Sequence, residues 1–212
     1  MLVQITNKCD NYCKHCLQMS GHENVYMEHG LFQNAIRLHK MCEAKTMMIS
    51  GGEPTMHPDW MGMVDTACRN IGLVMLATNG NWLLWNHWDE KYDTAKLPIH
   101  KKTFDDMVDL LKKHKNLWVQ VTNVPGIYPH HNDISMAIDW MKGYYPDLKD
   151  RILYAEKIEA MVSLGRASTN EWCLKQAEAA TGSTTSCFSA ALVSAQTNFK
   201  NAIQVLESRM KF

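Results

Sequence analysis

Three thiols stand within eight positions near the start of the sequence: Cys9, Cys13 and Cys16, in the run Cys-Asp-Asn-Tyr-Cys-Lys-His-Cys. A thiolate is a soft donor suited to iron–sulfur clusters, zinc or copper(I). Spacing this tight lets one loop wrap three corners of a single metal centre. A structural zinc site takes four protein ligands, commonly from two separated pairs. No second Cys-x-x-Cys pair occurs in the chain. An electron-transfer cluster also takes four thiolates, so three leave one iron open to a ligand that is not protein.

Two further runs carry polar or glycine-rich turns directly after short apolar segments. Ser50-Gly51-Gly52-Glu53-Pro54 follows Met47-Met48-Ile49, and Ala77-Thr78-Asn79-Gly80 ends Leu73-Val74-Met75-Leu76. Cys-x-x-x-Cys-x-x-Cys after a first strand, Gly-Gly-Glu after a second and Thr-Asn-Gly after a third together resemble the radical S-adenosylmethionine (SAM) superfamily. The resemblance implies that Cys9, Cys13 and Cys16 hold three irons of a [4Fe–4S] cluster while SAM chelates the fourth. Reductive cleavage of SAM would then give a 5′-deoxyadenosyl radical that abstracts hydrogen from substrate.

The same resemblance assigns further residues. Glu53 is expected to accept hydrogen bonds from the SAM ammonium, and Ser50, Gly51 and Gly52 to bring backbone close to the ligand. His15 takes the often aromatic position before the third cysteine, near the adenine. Asn79 is open between SAM contact and a plain turn role. Thr122, with Asn123 beside it, matches the stretch that meets the SAM ribose. Arg166, in Leu164-Gly165-Arg166-Ala167, is open between a SAM or substrate anion and a surface ion pair. That turn resembles one in peptide-modifying members, where a cysteine-rich extension follows. Here only Cys173 and Cys187 lie downstream, too few for a second cluster.

The elements that must position these residues alternate. Residues 2–6 read as a strand. Leu31, Ala35, Leu38, Met41 and Cys42 recur at helical spacing, which makes Cys42 a core thiol. Pro58 starts a helix through about Ile71, with Cys68 a structural thiol on it. Trp82, Trp85 and Trp88 recur three apart, either as an insertion pinned by aromatic burial or as substrate contacts. Thr103 reads as the N-cap of the next helix. Leu117–Thr122 is strand four. The loop with Pro125, Gly126, Pro129 and His130-His131 precedes a helix from about Asp133 to Gly143, and Ile152-Leu153-Tyr154 opens strand five. Helices are expected over about Asn170–Ala180 and through Phe199, Ala202, Ile203, Leu206 and Met210. Alternation of this kind argues for parallel pairing. The fold class expected is α/β, a partial (β/α)6 TIM-like barrel, with residues 1–212 one domain and a helical region from about 170 packed on it.

Composition sets outer bounds. The 212 residues are 46% hydrophobic and 21% charged, ordinary for a globular domain. With 22 basic and 22 acidic residues there is no electrostatic signal for nucleic acid. No apolar run approaches the ~20 residues a membrane helix needs, and the chain opens without a signal peptide, so a cytoplasmic setting is expected. The expected partners are a reductant such as flavodoxin or ferredoxin and a peptide or small-molecule substrate. A glycyl-radical-type activating enzyme is the alternative within the superfamily. A non-enzymatic iron–sulfur electron carrier is the alternative outside it.

Overall fold

A computed structural model of the chain describes residues 1–13, 16, 19–86, 97–122 and 130–155. Within them five strands alternate with four helices: β1 (Leu2–Gln4), α1 (His29–Met41), β2 (Thr46–Ser50), α2 (Trp60–Asn70), β3 (Leu73–Thr78), α3 (Leu97–Lys113), β4 (Leu117–Thr122), α4 (His131–Tyr144) and β5 (Ile152–Ala155). Every neighbouring pair is parallel and the strand order is the chain order, β1-β2-β3-β4-β5. Parallel neighbours need a crossover, and the helices between these strands supply it. This is the α/β class expected, in the sequential order of a partial barrel. A sixth βα unit and the helices expected beyond residue 155 lie outside the described residues.

Alternation along the strands explains the layers. Met47 and Ile49 of β2, Val74 and Leu76 of β3, and Leu117, Val119 and Val121 of β4 are buried in one core with Phe32, Ile36, Met63, Val64, Met107 and Leu111 from the helices. Residues of the other parity, such as Ser50, Ala77, Gln120 and Thr122, are half-buried. Side chains two apart share a sheet face, so these four stand together on the face turned away from the helix layer.

Two helices differ from expectation. On α1 the buried face is Phe32, Ile36 and His39, while Leu31 and Met41 are exposed. The apolar stripe is rotated one residue from the expected one, and Cys42 is an exposed residue at the helix end rather than a core thiol. A buried histidine in the stripe hid the true register. Helix α3 begins at Leu97, six residues before Thr103, so Thr103 is not its cap. The Thr103 hydroxyl instead donates back to the Ile99 carbonyl (3.0 Å), one turn earlier. Lys101–Asp105 and Lys102–Asp106 pairs run along the exposed face. Helix α2 starts at Trp60, two residues after Pro58, and Cys68 is buried on it as expected.

Candidate functional site

The cysteine loop leaves β1 and is closed at its base by backbone pairing between its two limbs. Asn7 N–H donates to Val25 O (3.0 Å), Cys9 N–H to Gly21 O (2.6 Å), Gly21 N–H to Asn7 O (3.2 Å) and Met27 N–H to Ile5 O (2.8 Å). Ser20 Oγ donates to Asn7 Oδ1 (3.0 Å) across the same neck. Inside the neck two sulfurs already accept backbone hydrogen bonds: Asn11 N–H reaches Cys9 Sγ at 3.4 Å and Ser20 N–H reaches Cys16 Sγ at 3.3 Å. Cys9 is buried, whereas Cys13 and Cys16 are half-buried. Burial pushes the Cys9 thiol up to about 12, with the Asn11 N–H pulling the other way and the Glu53 and Asp10 carboxylates adding to the rise. A bound metal reverses that balance, because a coordinating thiol is deprotonated outright.

The Gly-Gly-Glu turn is welded to this loop's root. Ile5 N–H donates to Ser50 O (2.9 Å), Gly52 N–H to Thr6 O (2.8 Å) and Glu53 N–H to Lys8 O (2.8 Å). A Cβ on Gly51 would stand 2.6 Å from Thr6 O, and one on Gly52 2.4 Å from Lys8 O and 2.8 Å from Asn7 O. All three distances are closer than a real Cβ tolerates. The glycines therefore clear room for the backbone of residues 6–8, a demand not foreseen in the sequence, which pointed to a ligand.

Glu53 is 2% exposed and both its oxygens are occupied. Oε1 accepts from Thr55 N–H (3.1 Å), Thr55 Oγ1 (2.7 Å) and Thr78 Oγ1 (2.9 Å); Oε2 accepts from Asn79 N–H (2.7 Å). The carboxyl thus straps the turn after β2 to the turn after β3. Burial, then the nearby Asp10 carboxylate, raises its pKa to about 7 against these hydrogen bonds. Both carboxylate oxygens are thus engaged within the chain, Oε1 by three donors and Oε2 by the Asn79 N–H.

Asn79 forms a turn and also reaches the cysteine loop. Its Oδ1 accepts from Asn81 N–H (2.9 Å), closing an Asx turn, and its Nδ2 donates to Asp10 Oδ1 (2.7 Å) in the cysteine loop. Asn81 Nδ2 donates to Asp10 Oδ2 (2.8 Å) and to Asn11 Oδ1 (3.0 Å). Asp10, Asn11, Thr55 and Asn81 join these bonds without having been singled out by the motifs, and Thr78, inside the Thr-Asn-Gly motif, had no role assigned to it. Their only signal is a density of short polar side chains inside and just after the motifs. Thr122 sits half-buried at the end of β4, and Ser50 at the end of β2. His15, Asn123, Arg166, Cys173 and Cys187 lie outside the described residues.

The tryptophan segment serves the helix layer. Trp82 is 2% exposed. It packs at 6.0 Å from Phe104 and donates through Nε1 to Thr78 Oγ1 (3.1 Å). Trp85 lies between Phe104 (5.6 Å) and Trp140 (6.4 Å), with the Lys101 ammonium 4.9 Å from its ring centroid. Both rings are committed to α3 and α4, which favours the insertion pinned by aromatic burial; Trp88 lies outside the described residues. Trp82→Ala is expected to lower folding stability by about 3–5 kcal/mol, read as a fall in the urea midpoint at unchanged m-value. Stability within 1 kcal/mol of wild type would contradict this packing.

The profile of the Radical SAM superfamily matches residues 3–122, more than half of the chain, and the chain belongs to that superfamily of enzymes. Membership implies a [4Fe–4S] cluster and SAM. A structure of Streptococcus suis SuiB bound to precursor peptide SuiA is similar at 16% identity and a TM-score of 0.47, over 67% of this chain and 30% of that one. SuiB bound to S-adenosylmethionine is similar at 13% identity and a TM-score of 0.34, over 74% of this chain and 50% of that one. The chain therefore spans between 30% and 50% of the length of these proteins. No curated protein sequence matches it.

The donor set fits the implied cluster in kind: three thiols on one loop, with backbone N–H groups already aimed at two of the sulfurs. Among the described residues, no three His, Cys, Asp or Glu side chains converge as a ready-made metal site. Nor, among those residues, is any helix long and apolar enough to cross a membrane.

Proposed function

We propose that this chain is a single-cluster radical SAM enzyme in which Cys9, Cys13 and Cys16 hold three irons of a [4Fe–4S] cluster. The observation that carries the proposal is the welding of the cysteine loop to the Gly-Gly-Glu turn and, through Asp10, to the Asn79–Asn81 turn. Three turns that are far apart in sequence meet at the C-terminal ends of β1, β2 and β3. That is the edge where chemistry sits in barrels of this kind. When bound, the cluster supplies the electron that cleaves SAM to the 5′-deoxyadenosyl radical. The chain's own part is to hold the thiolates, fix the loop and place SAM and substrate.

Ser50, Gly51, Gly52, Asn79, Thr122 and His15 belong to the SAM side of this proposal. Glu53 belongs there as well, as the acceptor for the SAM ammonium, and it also straps the turn. A non-enzymatic electron carrier needs only the thiols, so three cysteines together with an extensively bonded second turn favour the enzyme. A glycyl-radical-type activating enzyme would use the same cluster, and differs in taking a partner protein as substrate. The residues Thr6-Asn7-Lys8 before Cys9 support a peptide or small molecule instead. Residues 1–212 form one domain in this proposal, working in the cytoplasm with a flavodoxin or ferredoxin as reductant.

Anaerobic reconstitution with iron and sulfide is expected to load about four irons per chain, as one [4Fe–4S] centre requires. SAM plus dithionite should then yield 5′-deoxyadenosine. The Cys9→Ala/Cys13→Ala/Cys16→Ala chain should load none. A loaded wild-type chain that never cleaves SAM would leave the carrier standing in place of the enzyme.

A further inference from the structure

Among the described residues, three buried side-chain nitrogens have no hydrogen-bond partner: Asn11 Nδ2, His39 Nε2 and Arg151 Nη2. His39 belongs to the core face of α1, and Arg151 donates through Nη1 to the carbonyls of His114 and Leu117 where β4 begins. Neither is near the cysteine loop's sulfurs. Asn11 is different, because it lies between Cys9 and Cys13 and is 8% exposed. A buried donor left without an acceptor costs about 1–3 kcal/mol, so its persistence in this loop calls for an explanation.

The orientation of the Asn11 amide is fixed by its neighbours. Asp10 carboxylate oxygens can only accept, so Asn81 must present its Nδ2 to Asp10 Oδ2 (2.8 Å). The same Nδ2 lies 3.0 Å from Asn11 Oδ1, which must therefore be the oxygen. Turning the Asn11 amide over would set two NH2 groups against each other. Its own NH2 is thus left as the unspent donor. The backbone N–H of the same residue already points at Cys9 Sγ (3.4 Å).

We propose that the Asn11 side-chain amide donates a hydrogen bond to sulfur of the iron–sulfur centre at its Cys9 corner and raises that centre's reduction potential. This rests on the radical SAM reading above. A donor aimed at sulfur stabilises the more negatively charged, reduced cluster, and hydrogen bonds to the sulfurs are among the levers that set these potentials. Two carboxylates, Asp10 and Glu53, stand in the same locality, both bonded to Asn79, and negative charge on either disfavours adding more. The amide offsets them without adding a charge of its own. Asn81 is then a positioning residue, since it acts through the Asn11 oxygen.

The test is a redox titration of the reconstituted protein, followed by electron paramagnetic resonance, in wild type, Asn11→Leu and Asn11→Ala. Leucine keeps the volume of asparagine and removes the donor; alanine guards against a variant that leucine misfolds. At a fixed solution potential, each substitution is expected to cut the ratio of reduced to oxidised cluster at least fivefold. That is a downward shift of about 40 mV for a one-electron couple. Loaded variants with the wild-type potential overturn the donor role and leave the radical SAM reading intact. Folded variants that both fail to load assign Asn11 to building the loop, and also overturn it. A wild-type chain that takes up no iron and sulfide overturns the radical SAM reading, and the inference with it.

Discussion

Gly52→Ala is expected to unroot the cysteine loop and abolish cluster loading. The added methyl would stand 2.4 Å from Lys8 O and 2.8 Å from Asn7 O. Both are backbone atoms, so no side chain can swing aside to admit it. Either the turn or residues 7–8 must move, and movement breaks the Gly52 N–H to Thr6 O and Glu53 N–H to Lys8 O bonds, each 2.8 Å. Overpacking of this kind costs about 1–3 kcal/mol, occasionally more, and the two lost bonds add to it. The displaced residues lead directly into Cys9, so the cost falls on the geometry of the thiols. Gly30→Ala is the control. It lies in α1 with nothing within 4 Å of its Cβ position, and alanine gains up to about 1 kcal/mol there from helix propensity. The expected result is a lower urea midpoint and little bound iron in Gly52→Ala, with Gly30→Ala equal to or above wild type in both. Full iron content in Gly52→Ala would show that the turn does not set the loop.

The contrast between those glycines marks what a sequence reveals. The strands were legible because short apolar runs, bounded by turn residues, can do little but pair in parallel when helices separate them. The three motifs were legible because each is local: thiols within eight positions, two adjacent glycines, an asparagine before a glycine. What could not be read was whatever depends on a distant partner. Asn79 bonds Asp10 across 69 positions and Asn81 bonds it across 71. Nothing local distinguishes those asparagines from ordinary turn residues. The glycines were recognised, but the object they make room for was not, because a backbone segment and a ligand impose the same demand on the sequence. On α1, His39 occupies a core position that a hydrophobic pattern skips, so the pattern runs one residue away from the buried stripe. On α3, Pro98 and the lysines masked a helix start that the packing of Phe104 and Met107 enforces.

Removing the Glu53 carboxyl is expected to destabilise the chain before any ligand is present. Glu53→Ala strips acceptors from Thr55 N–H, Asn79 N–H and the hydroxyls of Thr55 and Thr78, of which the Asn79 and Thr78 donors are buried. At about 1–3 kcal/mol for each buried donor left unmade, a loss of about 3 kcal/mol or more follows. Glu53→Gln should lose less, since one oxygen survives, but its NH2 must face at least one donor. The ionised carboxyl carries its own pH signature. Its pKa is raised from 4.5 to about 7, chiefly by burial. A raised folded-state value means that Glu53 contributes stability fully below pH ~4.5, and that this is lost as pH rises through ~7. At 1.36 kcal/mol per unit the term is on the order of 3 kcal/mol. His39 works in the opposite sense: burial lowers its pKa from 6.5, so its neutral form gains the fold stability as pH rises. His39 is common to wild type and Glu53→Gln, so the difference between them isolates Glu53. Urea unfolding of the ligand-free proteins from pH 5 to pH 8 should therefore show wild type losing its advantage over Glu53→Gln as pH increases. A pH-independent difference would mean that the hydrogen bonds keep the carboxylate ionised throughout, and that burial does not govern it.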